Sequence, residues 1–153
     1  MSESLLTAKP NMSLKLSRPQ RIAVWSVVLG LWLSGALWLA AKWWLREQPE
    51  LPGAAEAWLM RAHGLLVLPM LWLAGSLWTL HARLALHLNR NLKSGIALMV
   101  LWALLALSGY GLYYFAAEQL RIATSYAHWL LGLTALPALW LHRWFGKRST
   151  LRT

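Results

Sequence analysis

The chain has 153 residues, 58% of them hydrophobic, with a positive mean hydropathy and a formal net charge of +10. It has no cysteine, which excludes disulfides, thiolate metal sites, cysteine-held iron–sulfur clusters and haem attachment through Cys-x-x-Cys-His. The basic residues gather at the ends of apolar runs, a membrane-topology pattern rather than a nucleic-acid face.

The length fits one domain. Residues 1–21 are polar, and the apolar run after them is long and ends without a small-residue cleavage motif, so it reads as a retained helix rather than a secretory signal. Four apolar runs follow in order, at 22–45, 58–81, 95–116 and 121–144. Each is long enough for a hydrocarbon core of about 30 Å, which takes about 20 helical residues. Their centres carry no Asp, Glu, Lys or Arg. They lack the period-two alternation of barrel strands and are too long for them.

In the first run Ser26, Gly30 and Ser34 recur every four residues, a stripe that lets helices approach closely in lipid. The stretch Glu47–Gly53 is a turn-rich break, and Asn89-Arg90-Asn91 turns the chain again. The third connection, around Ala116–Gln119, is very short and predicts an antiparallel hairpin of the third and fourth helices. No internal repeat stands out, although the second and fourth runs share a histidine at each end. The expected fold is all-α, an integral membrane four-helix transmembrane bundle over 22–146. A polar segment, 1–21, precedes it and a short tail, 147–153, follows.

Charge sets the expected orientation. Residues 1–21, the second connection and the C-terminal tail together hold eleven of the fifteen basic residues. The opposite side holds Lys42, Arg46, Arg61 and Arg121, with four of the five acids: Glu47, Glu50, Glu56 and Glu118. The positive-inside rule then predicts both termini in the cytoplasm.

The histidines bear most directly on function. His63 and His81 are 18 residues apart on the second run, and His128 and His142 are 14 apart on the fourth. At about 3.6 residues per turn each pair falls on one helix face. Imidazole is costly in lipid, and intramembrane histidines usually face the bundle interior. His63 with His128 near the outer face, and His81 with His142 near the inner face, are expected to ligate two b haems as bis-His pairs. Gly132, one turn after His128, leaves room for a flat macrocycle, as does Ala135 a turn later; Ala74 holds a comparable position on the second run. Arg61 and Arg121 outside, and Arg143 inside, are candidate partners for haem propionates, beside their ordinary use in topology and snorkelling. The alternative reading is that each histidine is an interfacial residue bonded to its neighbours. His87, six residues past His81 and out of phase with it, reads as a solvated loop residue. A His-only zinc site would need three or four converging imidazoles. No serine-nucleophile constellation, phosphate loop or dinucleotide fingerprint is present.

Arg61-Ala62-His63-Gly64, His81, Asn91-Leu92-Lys93-Ser94-Gly95, Ser108-Gly109-Tyr110-Gly111-Leu112-Tyr113-Tyr114, His128-Trp129-Leu130-Leu131-Gly132 and His142-Arg143-Trp144-Phe145-Gly146-Lys147 together resemble the small bacterial b-type cytochromes of the cytochrome b561-like, four-helix type. The likeness covers roughly residues 20–148. It implies two b haems held by the second and fourth helices, transmembrane electron transfer in a bacterial inner membrane, and quinone, other redox subunits or a periplasmic cytochrome as partners. The 14-residue spacing matches the common di-haem pattern, and the 18-residue spacing is longer than it. Such a chain is an electron-transfer subunit of an oxidoreductase rather than a catalyst alone. A haem-free membrane scaffold or assembly subunit is the alternative function.

Overall fold

The computed structural model describes residues 16–45, 54–88 and 91–150, all of them helical apart from short links. Most of the polar N-terminal segment, the expected break at Glu47–Gly53, Asn89-Arg90 and the last three residues lie outside the described residues.

Helix α1 spans Arg18–Leu45. It starts four residues before the apolar run because Ser17-Arg18-Pro19-Gln20 forms a capping box. The Gln20 N–H donates to Ser17 Oγ at 3.4 Å, and Gln20 Oε1 accepts from the Ser17 N–H at 3.0 Å. Pro19 sits in the first turn, where its missing donor has no intrahelical partner to lose.

Helix α2 spans Ala54–Leu77 with Pro69 inside it. It does not stop near His81 as its apolar run does. The chain passes through a π-helical turn, Trp78–Ala82, and continues as α3, Arg83–His87. His87 is therefore the last residue of a helix and is solvent-facing, not a loop residue.

Helix α4 spans Leu92–Tyr114 and begins at Asn91, whose left-handed backbone (φ 54°) is one that asparagine tolerates better than most residues. Phe115–Ala117 links it to α5, Glu118–Thr150. Phe115 folds back over Gly111, where an added Cβ would stand 2.5 Å from the ring; only glycine leaves space for that reversal.

Three helices, α1, α2 and α4, are long and apolar enough to cross a membrane and support a multi-pass membrane protein. The sequence predicts four such spans. Helix α5 has the length, but Thr124, Ser125, Tyr126, His128, Thr134 and Pro137 dilute its apolar stretch. Outward-facing side chains such as Trp72 (71% exposed) and Leu65 (69%) need an apolar solvent, as lipid provides.

Packing is concentrated in two hairpins, α1 with α2 and α4 with α5, and these are joined chiefly along a seam between α1 and α5. Helix α2 has no comparable packing on α4 or α5. The buried apolar cluster is small: Val24 and Val28 of α1, Leu73 of α2 and Leu139 of α5, with Trp102 and Leu98 of α4 packed against it. Leu73 lies between His63 and His81 in sequence, and Leu139 between His128 and His142, so this cluster forms an apolar layer between the two histidine levels. In the small-residue stripe of α1, Gly30 lies against Leu66 of α2, Ser34 is buried, and Ser26 faces outward.

Candidate functional site

Four histidines from two helices that scarcely pack on each other meet in two pairs. The His63 and His128 rings have centroids 6.3 Å apart and planes at 79°. The His81 and His142 rings are 6.4 Å apart at 83°. Both pairings are those expected from depth alone.

The unequal spacings are met in part where the second helix changes winding. Fourteen residues of α5 rise about 21 Å, whereas 18 residues of regular helix would rise about 27 Å. The π turn at Trp78–Ala82 contains His81 and takes more residues per turn than an α-helix. It shortens the rise from His63 to His81, in the direction that the pairing of His81 with His142 requires.

Three of the rings are oriented by serine. Ser34 Oγ stands 2.9 Å from His63 Nδ1, Ser108 Oγ 2.9 Å from His128 Nδ1, and Ser94 Oγ 3.1 Å from His142 Nδ1. Each hydroxyl has a single proton, and each already has an acceptor for it. Ser34 donates to Leu31 O at 3.0 Å, Ser108 to Leu104 O at 2.7 Å, and Ser94 to Asn91 Oδ1 at 2.7 Å. The serine oxygen is then the acceptor and the imidazole Nδ1–H the donor. That favours the Nδ1–H tautomer at His63 and His128, with the Nε2 lone pair open to a metal; at His142 the Asn91 amide nitrogen also lies 3.5 Å from Nδ1. Among the described residues no serine is bonded to His81.

A glycine follows each of these serines and gives its ring room. A Cβ added at Gly35 would stand 3.3 Å from His63 Cε1; at Gly109, 3.4 Å from His128 Cε1; at Gly95, 3.7 Å from His142 Cε1. The three Ser-Gly dipeptides of the chain are thus all histidine cradles. This sequence signal was legible beside the histidines but has no meaning until the helices are paired. At the inner level Asn91 also ties the start of α4 to α5, its Nδ2 donating to the His142 carbonyl at 3.1 Å.

The other candidate residues divide. Gly132 approaches Leu105 of α4 at ordinary contact distance, and Ala135 is buried, so this face of α5 is packed rather than open. Ala74 faces outward, and Gly75 beside it has open space. Arg61 and Arg121 are exposed near the His63–His128 level, the Arg61 guanidinium lying 5.0 Å over Trp58. Arg143 turns to α1 instead, 5.3 Å over the Trp25 ring, and lines a cleft there rather than the gap between His81 and His142.

Two imidazoles on opposite sides of one metal, with metal–nitrogen bonds of about 2.0 Å, place their ring centroids about 6 Å apart. Both pairs fit that separation. No group of three or more His, Cys, Asp or Glu side chains converges among the described residues, so the donor set is two imidazoles per level. No family model, no curated protein and no solved structure matches the chain.

Proposed function

We propose that this chain is a four-helix, di-haem b-type cytochrome of a bacterial inner membrane, with both termini in the cytoplasm. It carries electrons across the bilayer between a quinone or cytoplasmic-side donor and a periplasmic redox partner, as a subunit of a larger redox complex. The observation that carries this reading is the double pairing. Two imidazole pairs occur at two levels, at the separation of a shared metal, with Nδ1 already bonded in three of the four rings.

His63 and His128 would hold the outer haem, and His81 and His142 the inner one. When bound, each haem supplies a one-electron iron couple. The protein's part is ligation, orientation and insulation. Held by two imidazoles, each haem would be suited to electron transfer rather than oxygen chemistry. The serines keep the ring planes and tautomers fixed, so little need rearrange when charge arrives. Arg61 and Arg121, both exposed, would supply counter-charge to the propionates of the outer haem. Helix α2 packs little on α4 and α5, and the paired histidine rings are its approach to α5.

The deciding experiment is a visible spectrum of the purified, dithionite-reduced protein with a pyridine haemochrome assay. Two low-spin b haems per chain are expected. No haem after expression in a haem-replete host, in a protein that is folded and membrane-inserted, refutes the reading in favour of a haem-free scaffold. One haem per chain would confine it to the His63–His128 pair.

A further inference from the structure

The α1–α5 seam opens outward into a groove that the histidine pairs do not use. Its polar end, a cleft of about 330 Å³, is lined by Trp25, Trp140, Arg143, Trp144 and Lys147. Its apolar end, about 380 Å³, shares the Trp25 and Trp140 walls and continues along Leu29, Leu136 and Pro137. Trp32 also lines this end, and its indole N–H is bonded to the Leu133 carbonyl. The groove therefore runs from cationic and aromatic to wholly apolar. From Leu136 to Lys147 is 11 residues, or about 16 Å of helix, close to half of a hydrocarbon core of about 30 Å.

From this gradient we infer that the groove binds one anionic phospholipid of the leaflet nearest Arg143, its phosphate at the Arg143 end and an acyl chain along Leu29 and Leu136. An amphiphile with a neutral head would fit the apolar end but would offer no charge to the Arg143 guanidinium. Arg143 lies over Trp25, its guanidinium carbon 5.3 Å from the ring centroid, and lines the polar end of the groove, where its N–H groups could donate to a phosphate. Basic pockets between membrane helices recognise anionic headgroups by this combination of charge and depth. The site is separate from the haem reading and stands whether or not haem binds.

The test is native mass spectrometry of the full chain released from micelles containing equal phosphatidylglycerol and phosphatidylcholine. The wild type should retain one phosphatidylglycerol under activation that strips phosphatidylcholine. Arg143→Gln should lower that preference about fivefold, the loss of one near-surface cation, while Arg143→Lys should largely keep it. Leu29→Trp, which fills the apolar end without touching charge, should lower retention of both lipids, and it keeps the proposal falsifiable if Arg143→Gln fails to fold. Equal retention of the two lipids by the wild type overturns the inference, as does an unchanged preference in folded Arg143→Gln. Displacement by inorganic phosphate alone would show an anion site with no acyl component, and displacement by a neutral quinone a site for another amphiphile; either also overturns it.

Discussion

Replacing Ser108 by alanine removes one hydroxyl and nothing else from the outer histidine pair. The 2.9 Å bond to His128 Nδ1 is lost, together with the Ser108 bond to the Leu104 carbonyl, which retains its helix position. His128 is half-buried, so its Nδ1–H is left without a partner where water has little access; such a group costs about 1–3 kcal/mol. Partners of this kind typically change metal affinity about 10–100-fold. Haem titration of the apo protein should therefore show the outer site weakened about 10–100-fold in Ser108→Ala and again in Ser34→Ala, with the inner site unmoved. The direction of the redox effect also follows. A hydrogen bond donated by Nδ1–H makes the imidazole a stronger donor and favours ferric iron, so its loss should raise the outer midpoint potential. Ser94→Ala should act on the inner site alone. Ser76→Ala is the control, because Ser76 Oγ bonds only the Leu73 carbonyl. A Ser76→Ala protein that matches Ser108→Ala would refute the serine's role at the ring. So would a folded Ser108→Ala that keeps both the affinity and the potential of the outer haem.

The cradle glycines should be as sensitive as the serines. Gly35→Val and Gly109→Val push carbon into rings already 3.3 and 3.4 Å from a hypothetical Cβ and should cost about 1–3 kcal/mol, seen as lower thermal stability and loss of the outer spectrum; Gly75→Ala, with open space around it, should do neither. Histidine replacements should sort into two classes by reduced-minus-oxidised spectra: His63→Ala with His128→Ala, and His81→Ala with His142→Ala, while His87→Ala stays near wild type. A loss of haem in His87→Ala that His81→Ala does not cause would move the inner ligand. A periplasmic reporter fused after Thr153 should be inactive; activity in an inserted fusion would reverse the orientation and exchange the inner and outer labels.

Much of the fold could be read from local pattern. Apolar run length located the long helices to within a few residues, because a hydrophobic stretch has no other stable state in lipid. The errors lay where backbone chemistry extends or bends a helix past its apolar run, and in the fourth run, whose polar residues leave α5 outside the three helices apolar enough to cross a membrane. The Ser17–Gln20 capping box advances α1, and the π turn carries the second helix on to His87. Histidine phase put each helix's two rings on one face, and depth along the apolar runs gave the pairing of His63 with His128 and of His81 with His142. It could not give the serine partners, since Ser34 is 29 residues from His63 and Ser94 is 48 from His142. Those bonds depend on which helices are neighbours, and side-chain periodicity carries no such information. Arg143 shows the same limit: its position beside His142 suggested a role at that ring, yet one step along a helix turns a side chain by about 100° and directs it to Trp25.

The uneven packing of the helices has a consequence for how the molecule is put together. Each hairpin is sealed within itself, and the two are bound along one edge, α1 against α5, like the covers of a book along its spine. The opposite edge, between α2 and α4, is open to the hydrocarbon; among its few neighbours, Tyr113 reaches only to the surface of Gly64. In such a body the α2–α4 edge is held least, and it is the edge that local opening would part first. On the proposed reading, a cofactor held by His63 with His128 and by His81 with His142 would bridge α2 to α5 and supply, across that edge, the contact that helix packing does not.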